Sequence, residues 1–503
     1  MSRAAHHLTS PQPGARWPGP VDPRLLLPWP PARAIVLSSE ETLNGAAGLE
    51  NSGEPVLLPD LAVAPSSLVE RALATHANMV VLTGTDRSRR LRRAGFQVQR
   101  YLPLPDLANV ELLLPLDQPT AARYALNSWR VPSGRLMWAR NTIASALLRH
   151  LSVPARRPVV TIAARGSALP HPIAAARSVG VDQIVSWLPT FPPGGDSLSR
   201  VALHLFPVGS RTPRWTLKLA RIPGYDVPFV REEKAHGLIR EAGGCVEQRA
   251  PRQLGRFMAG GHHASVESTA VGPGLGRLLA GPRGRPEKVA VLDSIARWLD
   301  QVARETRAPA DALAPERSRL GEEVLPAWSA RGVPPNLIER LPPVPAVFQH
   351  NDMWQENIVC GPGGFTVLDW EWARRHGFPL WDLARFASFT LGALDGAHSG
   401  DERDRHFVEL WLGRAPASEL LLRWLRRSAE VAEVPLDAVG AIVTLHWIDH
   451  PPAGRRRAGA PAAEGTPGSG EPGAPLPPPR LARLARLWLS EPGLGPGWTL
   501  WRG

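Results

Sequence analysis

Lysine is nearly missing from this chain of 503 residues: Lys218, Lys234 and Lys288 are the only three. Almost every cation is therefore an arginine, and the arginines run along the whole length. The formal net charge of +12 reads as a compositional bias of the coding sequence, not as a basic patch for a polyanion. No recognised nucleic-acid motif accompanies the charge, so no nucleic-acid partner is expected. Cysteine is equally scarce. Cys245 and Cys360 stand alone without ligand-like spacing, which argues against a disulfide framework or a zinc site and fits a reducing compartment. No charge-free run of about 18 apolar residues occurs, so no membrane span is expected. The opening MSRAAHHLTSPQPGARWPGP lacks the apolar core of a signal peptide. A cytoplasmic protein is the expectation.

What is abundant is proline and glycine, 54 and 46 residues, beside an apolar fraction of 43%. That mixture predicts folded domains separated by irregular segments, and the length predicts two or more domains. Residues 1–32 are Pro-rich and expected to be disordered. Over 33–118, strand-like runs such as MVVLTG, QVQRYLPLP and VELLLPLD alternate with helical spacing in SSLVERALATHA and RSRRLRRAGF, which predicts a small α/β domain. Residues 119–184 form a connecting helical region that includes SGRLMWARNTIASALLRHL and a short strand, PVVTIAA. Paired strands begin near 185, and long helices follow to about 450. Residues 451–480 cannot bury enough apolar surface to fold and read as a linker. Within 481–503, LARLARLWLS is an amphipathic helix, able to dock in cis or on a protein partner, as is the N-terminal domain.

The chemistry concentrates in FQHNDMWQENIV, Phe348 to Val359, and in LDWEWA, Leu368 to Ala373. VPAVFQH is an apolar run ending at His350, as a strand feeding an irregular loop would be. NIVCGPGGFTVLDWE then reads as strand, Gly-rich turn, strand. A hairpin brings its ends together, so Asn357 and Asp369 approach one point, with Asp352 on the loop just before. Asp and Asn also gather in loops as turn formers. Here, though, the flanking strands make an oxygen-rich site suited to a hard divalent ion and a proton acceptor, the needs of phosphoryl transfer. Upstream, SRVALHLF and WTLKLAR read as two strands. Lys218 lies inside the second, sharing a face with Thr216 and Ala220 that is small enough to lie against a nucleotide.

HNDMWQEN, LDWEWA and GFPLWDLARF, in that order, resemble the catalytic and metal loops of the aminoglycoside phosphotransferase and choline kinase-like family, built on the protein-kinase-like fold. The resemblance covers about residues 185–450. It implies an α+β chain: a bilobal protein-kinase-like fold with a β-rich N-lobe (185–270) and a helical C-lobe (271–450), preceded by the small α/β domain. It implies ATP and Mg²⁺ as cofactors and a small-molecule hydroxyl acceptor of aminoglycoside, sugar or amino-alcohol type. Asp352 would be the catalytic base, and Asn357 and Asp369 the metal ligands. Lys218 would hold the nucleotide phosphates, with Glu233, or less favourably Glu232, pairing with it from the following helix. Gly194, Gly195 and Ser197 would cover the phosphates, departing from the Gly-x-Gly-x-x-Gly pattern of protein kinases. The backbone near Glu267 to Ala270 would meet adenine, and His350 and Asp382 would brace the loop. The other reading is a kinase-like module kept for binding or scaffolding without catalysis. Residues 33–118 also resemble the closing part of Rossmann-like methyltransferases at RRAGF, without the glycine-rich turn that would hold a cofactor.

Overall fold

A computed structural model describes residues 35–36, 56–58, 79–84, 86–106, 110–129, 159–166, 169–191, 200–449 and 480–500, and Leu26, Ile143 and Leu147 besides. The segment expected at 1–32 apart from Leu26, SSLVERALATHA, most of SGRLMWARNTIASALLRHL, and the linker 451–479 lie outside the described residues. The chain gathers into two compact units, Met1–Phe229 with Arg252–Val271, and Val230–Pro251 with Gly272–Gly503.

The first unit is built on one sheet. Its strands are β1 (Ile35–Val36), β2 (Val56–Leu58), β3 (Met79–Gly84), β4 (Gln97–Leu104), β5 (Leu112–Pro115), β6 (Val159–Ala164), β7 (Ile184–Thr190), β8 (Val201–Pro207), β9 (Trp215–Leu219), β10 (Gln253–Ala259) and β11 (His262–Ser268). Their order across the sheet is β1-β2-β3-β6-β4-β5-β7-β8-β9-β11-β10. Only β1, β2 and β3 pair in parallel; every later pairing is antiparallel. Among the described residues two helices lie early in the unit, α1 (Ser88–Arg93) and α2 (Pro119–Trp129). The helix, glycine stop and strand expected around RRAGF are present: α1 ends, Gly95 turns with φ 86°, a conformation that costs a residue without a Cβ little, and β4 follows.

The expected stop at 118 is different. Alternating strands there predict a separate small domain, yet β5 hydrogen-bonds to β7 and β7 to β8, so these strands share a sheet with those expected of an N-lobe. Tyr101, Val160, Ile162 and Trp187 accordingly pack in one apolar cluster with Leu203, Leu205, Leu217 and Val266. Apolar runs mark a strand, but nothing local names its partner. Beneath the sheet, Arg100 is almost fully buried between Asp86 and Asp117, with ion-pair distances of 2.8 and 2.9 Å. Paired so, the guanidinium is satisfied where a lone charge would be costly.

The second unit is mostly helical. Its main helices are α3 (Val227–Ala242, which enters it at Val230), α4 (Arg285–Thr306), α5 (Trp381–Leu394), α6 (Gly400–Trp411), α7 (Ser418–Val431), α8 (Val439–Ile448) and α9 (Arg480–Ser490). Trp381, Trp411, Trp424, Trp447 and Trp488 are fully buried in its core. Inserted among the helices are two short antiparallel pairs. One joins β12 (Val347–Gln349) to β15 (Arg374–Gly377); the other is the hairpin of β13 (Ile358–Gly361) and β14 (Gly364–Val367). The tail helix docks in cis. Leu484, Ala485 and Trp488 join the core, and Trp488 Nε1 donates to Thr444 Oγ1 at 2.8 Å. No helix among the described residues is long and apolar enough to cross a membrane.

Candidate active site

The loop between β12 and β13 is held from beneath by Asp382, on the first turn of α5. Its two carboxylate oxygens accept the backbone N–H groups of His350 (2.7 Å) and Asn351 (2.8 Å). Burial pushes the Asp382 carboxyl above its ordinary range, against the opposing pull of His350 and those two donors. His350 is 1% exposed and stacks edge-on against Trp370, ring centroids 4.5 Å apart. Its Nε2 donates to the Leu368 carbonyl (2.8 Å), and its Nδ1 accepts from the Asp352 N–H (3.1 Å). One imidazole thus ties the Asp352 loop to the strand exit that carries Asp369.

Asn351 takes a positive φ of 62°, a conformation Asn tolerates better than most residues, and donates Nδ2 to the Trp372 carbonyl at 3.0 Å. Asn357 ends a short 3₁₀ turn and enters the hairpin, where its carbonyl accepts from Leu368 N–H at 2.8 Å. Asp369 is therefore one residue beyond the partner of Asn357, as the hairpin reading requires, and it too has φ 62°. Asn357 spends its amide on Asp352, Nδ2 donating to the Asp352 carbonyl and to Oδ2, both at 2.9 Å. Its Oδ1 is the atom left for a cation.

Sequence reading missed Arg385, one turn past Asp382 on α5. It is nearly buried, with a side-chain exposure of 6%, and its Nη2 ion-pairs with Asp352 Oδ1. Both oxygens of Asp352 are thus engaged once, Oδ1 by Arg385 and Oδ2 by Asn357, and each retains a further lone-pair direction for a donor. The residue stands inside the quoted WDLARF, but nothing local shows that it returns to a loop so far upstream.

In the first unit, Lys218 lies in β9 opposite Ser265, and Nζ donates to Glu267 Oε2 at 2.9 Å. Glu267 differs from expectation: it lies within β11, with a buried side chain, and not on a connector. Ala270 does fall in the loop after that strand. On α3, Glu233 is exposed and Glu232 is 2% exposed, so the inward-facing acid is Glu232, the residue the sequence favours less. Helical phase explains the difference, since a one-residue step turns a side chain through about 100°. Gly194, Gly195 and Ser197 lie outside the described residues.

A loop braced by a buried carboxylate, an Asp–Asn pair and a second Asp at a hairpin exit thus gather oxygen-bearing side chains at one place. Residues 208–416 match the family described as the Phosphotransferase enzyme family. The match spans less than half of the 503 residues. Among solved structures, the chain is similar to an aminoglycoside-3'-phosphotransferase of type VIII, with 16% identity over 55% of this chain and 97% of that one, and a TM-score of 0.33. A choline kinase from Cryptosporidium parvum Iowa II has 12% identity, 55% and 87% coverage, and a TM-score of 0.32. A glucosamine kinase has 14% identity, 57% and 79% coverage, and a TM-score of 0.32. No curated protein is similar enough in sequence to match.

Proposed function

We propose that this chain is an ATP- and Mg²⁺-dependent phosphotransferase acting on a hydroxyl of a small molecule, of aminoglycoside, sugar or amino-alcohol type. The observation that carries the reading is the joint fixing of Asp352, Asn357 and Asp369 by one hairpin and one buried imidazole. Asp352 orients the acceptor hydroxyl and takes its proton. Asn357 holds Asp352 through its amide protons and turns a carboxamide oxygen toward the site; Asp369 adds a carboxylate. Two hard oxygen donors suit Mg²⁺, which would neutralise charge on the transferring phosphoryl group when bound. Lys218 would contact the nucleotide phosphates, with Glu267 as its partner in the protein alone. Asp382 and His350 keep the loop in register.

The test is thermal melting of the full chain, alone and with ATP plus Mg²⁺, beside Asp369→Ala. At about 100 times its dissociation constant a ligand stabilises by about 2.7 kcal/mol, enough to see as a shift. The expected result is a metal-dependent shift in the wild type that the variant loses. Equal shifts in both proteins, or none in either, would refute the nucleotide site.

A further inference from the structure

Resting on that phosphotransferase reading and narrowing it to its sugar-type acceptors, away from aminoglycosides and amino alcohols, we propose that the acceptor carries an anionic group, a carboxylate or a phosphate, beside the reacting hydroxyl, and that Arg480 on the C-terminal helix selects for it. Asp352 is followed outward by cations. Arg385 ion-pairs with it, and the same guanidinium lies 5.9 Å from the ring centroid of Phe389. Over that ring, at 4.3 Å, sits the guanidinium of Arg480, the first residue of α9. Trp354, two residues past Asp352, meets the same ring edge-on with centroids 6.0 Å apart. An aromatic ring flanked by two guanidinium groups thus stands next to the catalytic carboxylate.

Arg480 forms no ion pair or hydrogen bond with any described residue. Burial, with Arg403 and Arg385 near it, pushes its pKa down to about 10, so it remains cationic at neutral pH. Asp404 opposes this, but Asp404 and Asp401 are both engaged by Arg483 of the same helix. Asp395, the next carboxylate along, is taken by Arg285 and His406, each at 2.8 Å. Asp395, Asp401 and Asp404 are thus each paired with a basic group of the protein itself. A polyamine presented to Asp352 would meet Arg385 and Arg480; an anion would find in Arg480 a guanidinium with donors to spare.

The experiment fills the nucleotide site of the full chain with Mg²⁺ and a non-hydrolysable ATP analogue, then measures binding by thermal melting and calorimetry. The probes share a hexose frame: gluconate, glucose 6-phosphate, glucose and glucosamine. Gluconate or glucose 6-phosphate should bind at least about tenfold tighter than glucose or glucosamine, and their contrast separates carboxylate from phosphate. Arg480→Gln should cost the anion at least about tenfold, and Arg480→Lys should recover part of it, which a merely misdocked helix would not. The proposal is overturned if neither anion binds, if glucosamine or glucose binds as tightly, or if Arg480→Gln binds the anion as wild type does. A missing nucleotide shift in the wild type refutes the phosphotransferase reading itself; a normal one without anion binding refutes only this inference.

Discussion

At the scale of single residues, the site depends on buried polar groups that have no slack. Asp382 never touches substrate in the proposed chemistry, yet it is the sole acceptor described for two backbone N–H groups at the start of the loop. Removing it leaves both donors in an apolar pocket, at roughly 1–3 kcal/mol each. Asp382→Ala should therefore lose about 3 kcal/mol or more by urea denaturation, and turnover should fall with it because Asp352 is two residues away. A variant of wild-type stability would show that water replaces the carboxylate, and the bracing role would fall. Asp352, Asn357 and Asp369 were legible in the sequence because a hairpin forces its ends together whatever the rest of the chain does. Arg385 was not, because its contact with Asp352 spans 33 positions and depends on how α5 packs. Glu232 and Glu233 differ only by helical phase, which short polar stretches leave unresolved.

Elements are placed by close approaches that only glycine permits. Gly377, in β15, would drive a Cβ to 1.8 Å from Gln349 Oε1 on the neighbouring strand β12. A methyl at Gly377 would therefore make the buried Gln349 side chain, which donates to the Phe378 carbonyl, give way. Gly440, near the start of α8, comes similarly close to the tail: a Cβ there would meet the Trp498 carbonyl oxygen at 1.9 Å. Two effects oppose each other in Gly440→Ala. Helix propensity favours alanine by about 1 kcal/mol. Overpacking against a backbone atom costs about 1–3 kcal/mol, and here the clash should win, since Trp498 is itself pinned by its Nε1 bond to the Trp411 carbonyl (2.8 Å). The expected outcome is release of residues 480–500, read as faster tryptic cleavage at the exposed Arg486, together with weaker acceptor binding because Arg480 leaves with the helix. Slower cleavage would mean that propensity dominates and that the tail adjusts around the new methyl. The cis docking of this helix was foreseeable from its amphipathic spacing; the glycine that admits it was not, since Gly inside a helix reads only as a weak point.

Over the whole molecule, the sheet decides what can stand alone. The family match starts at residue 208, just after β8 ends, as though a kinase-like domain could be excised there. The pairings argue otherwise. β8 is hydrogen-bonded along its length to β7, and Val201, Leu203 and Leu205 lie at 0% exposure in a cluster with Tyr101, Val160, Ile162 and Trp187. A fragment beginning at Arg200 would keep β8 but strip the strand beside it and the apolar groups packed on it. Each large side chain exposed in this way forfeits roughly 1.5–3 kcal/mol. Three such residues on β8 alone reach a total of about 5–9 kcal/mol, comparable with the whole stability of an ordinary domain, about 5–15 kcal/mol. The new edge is also a ready template for pairing with other chains. The fragment Arg200–Gly503 should therefore be insoluble, or melt without cooperativity, and lack the ATP- and Mg²⁺-dependent shift expected of the full chain. If it melts cooperatively and keeps that shift, the strands before β8 are an appendage to a self-sufficient kinase-like domain. Their role would then have to be sought in binding, not in the stability of the sheet.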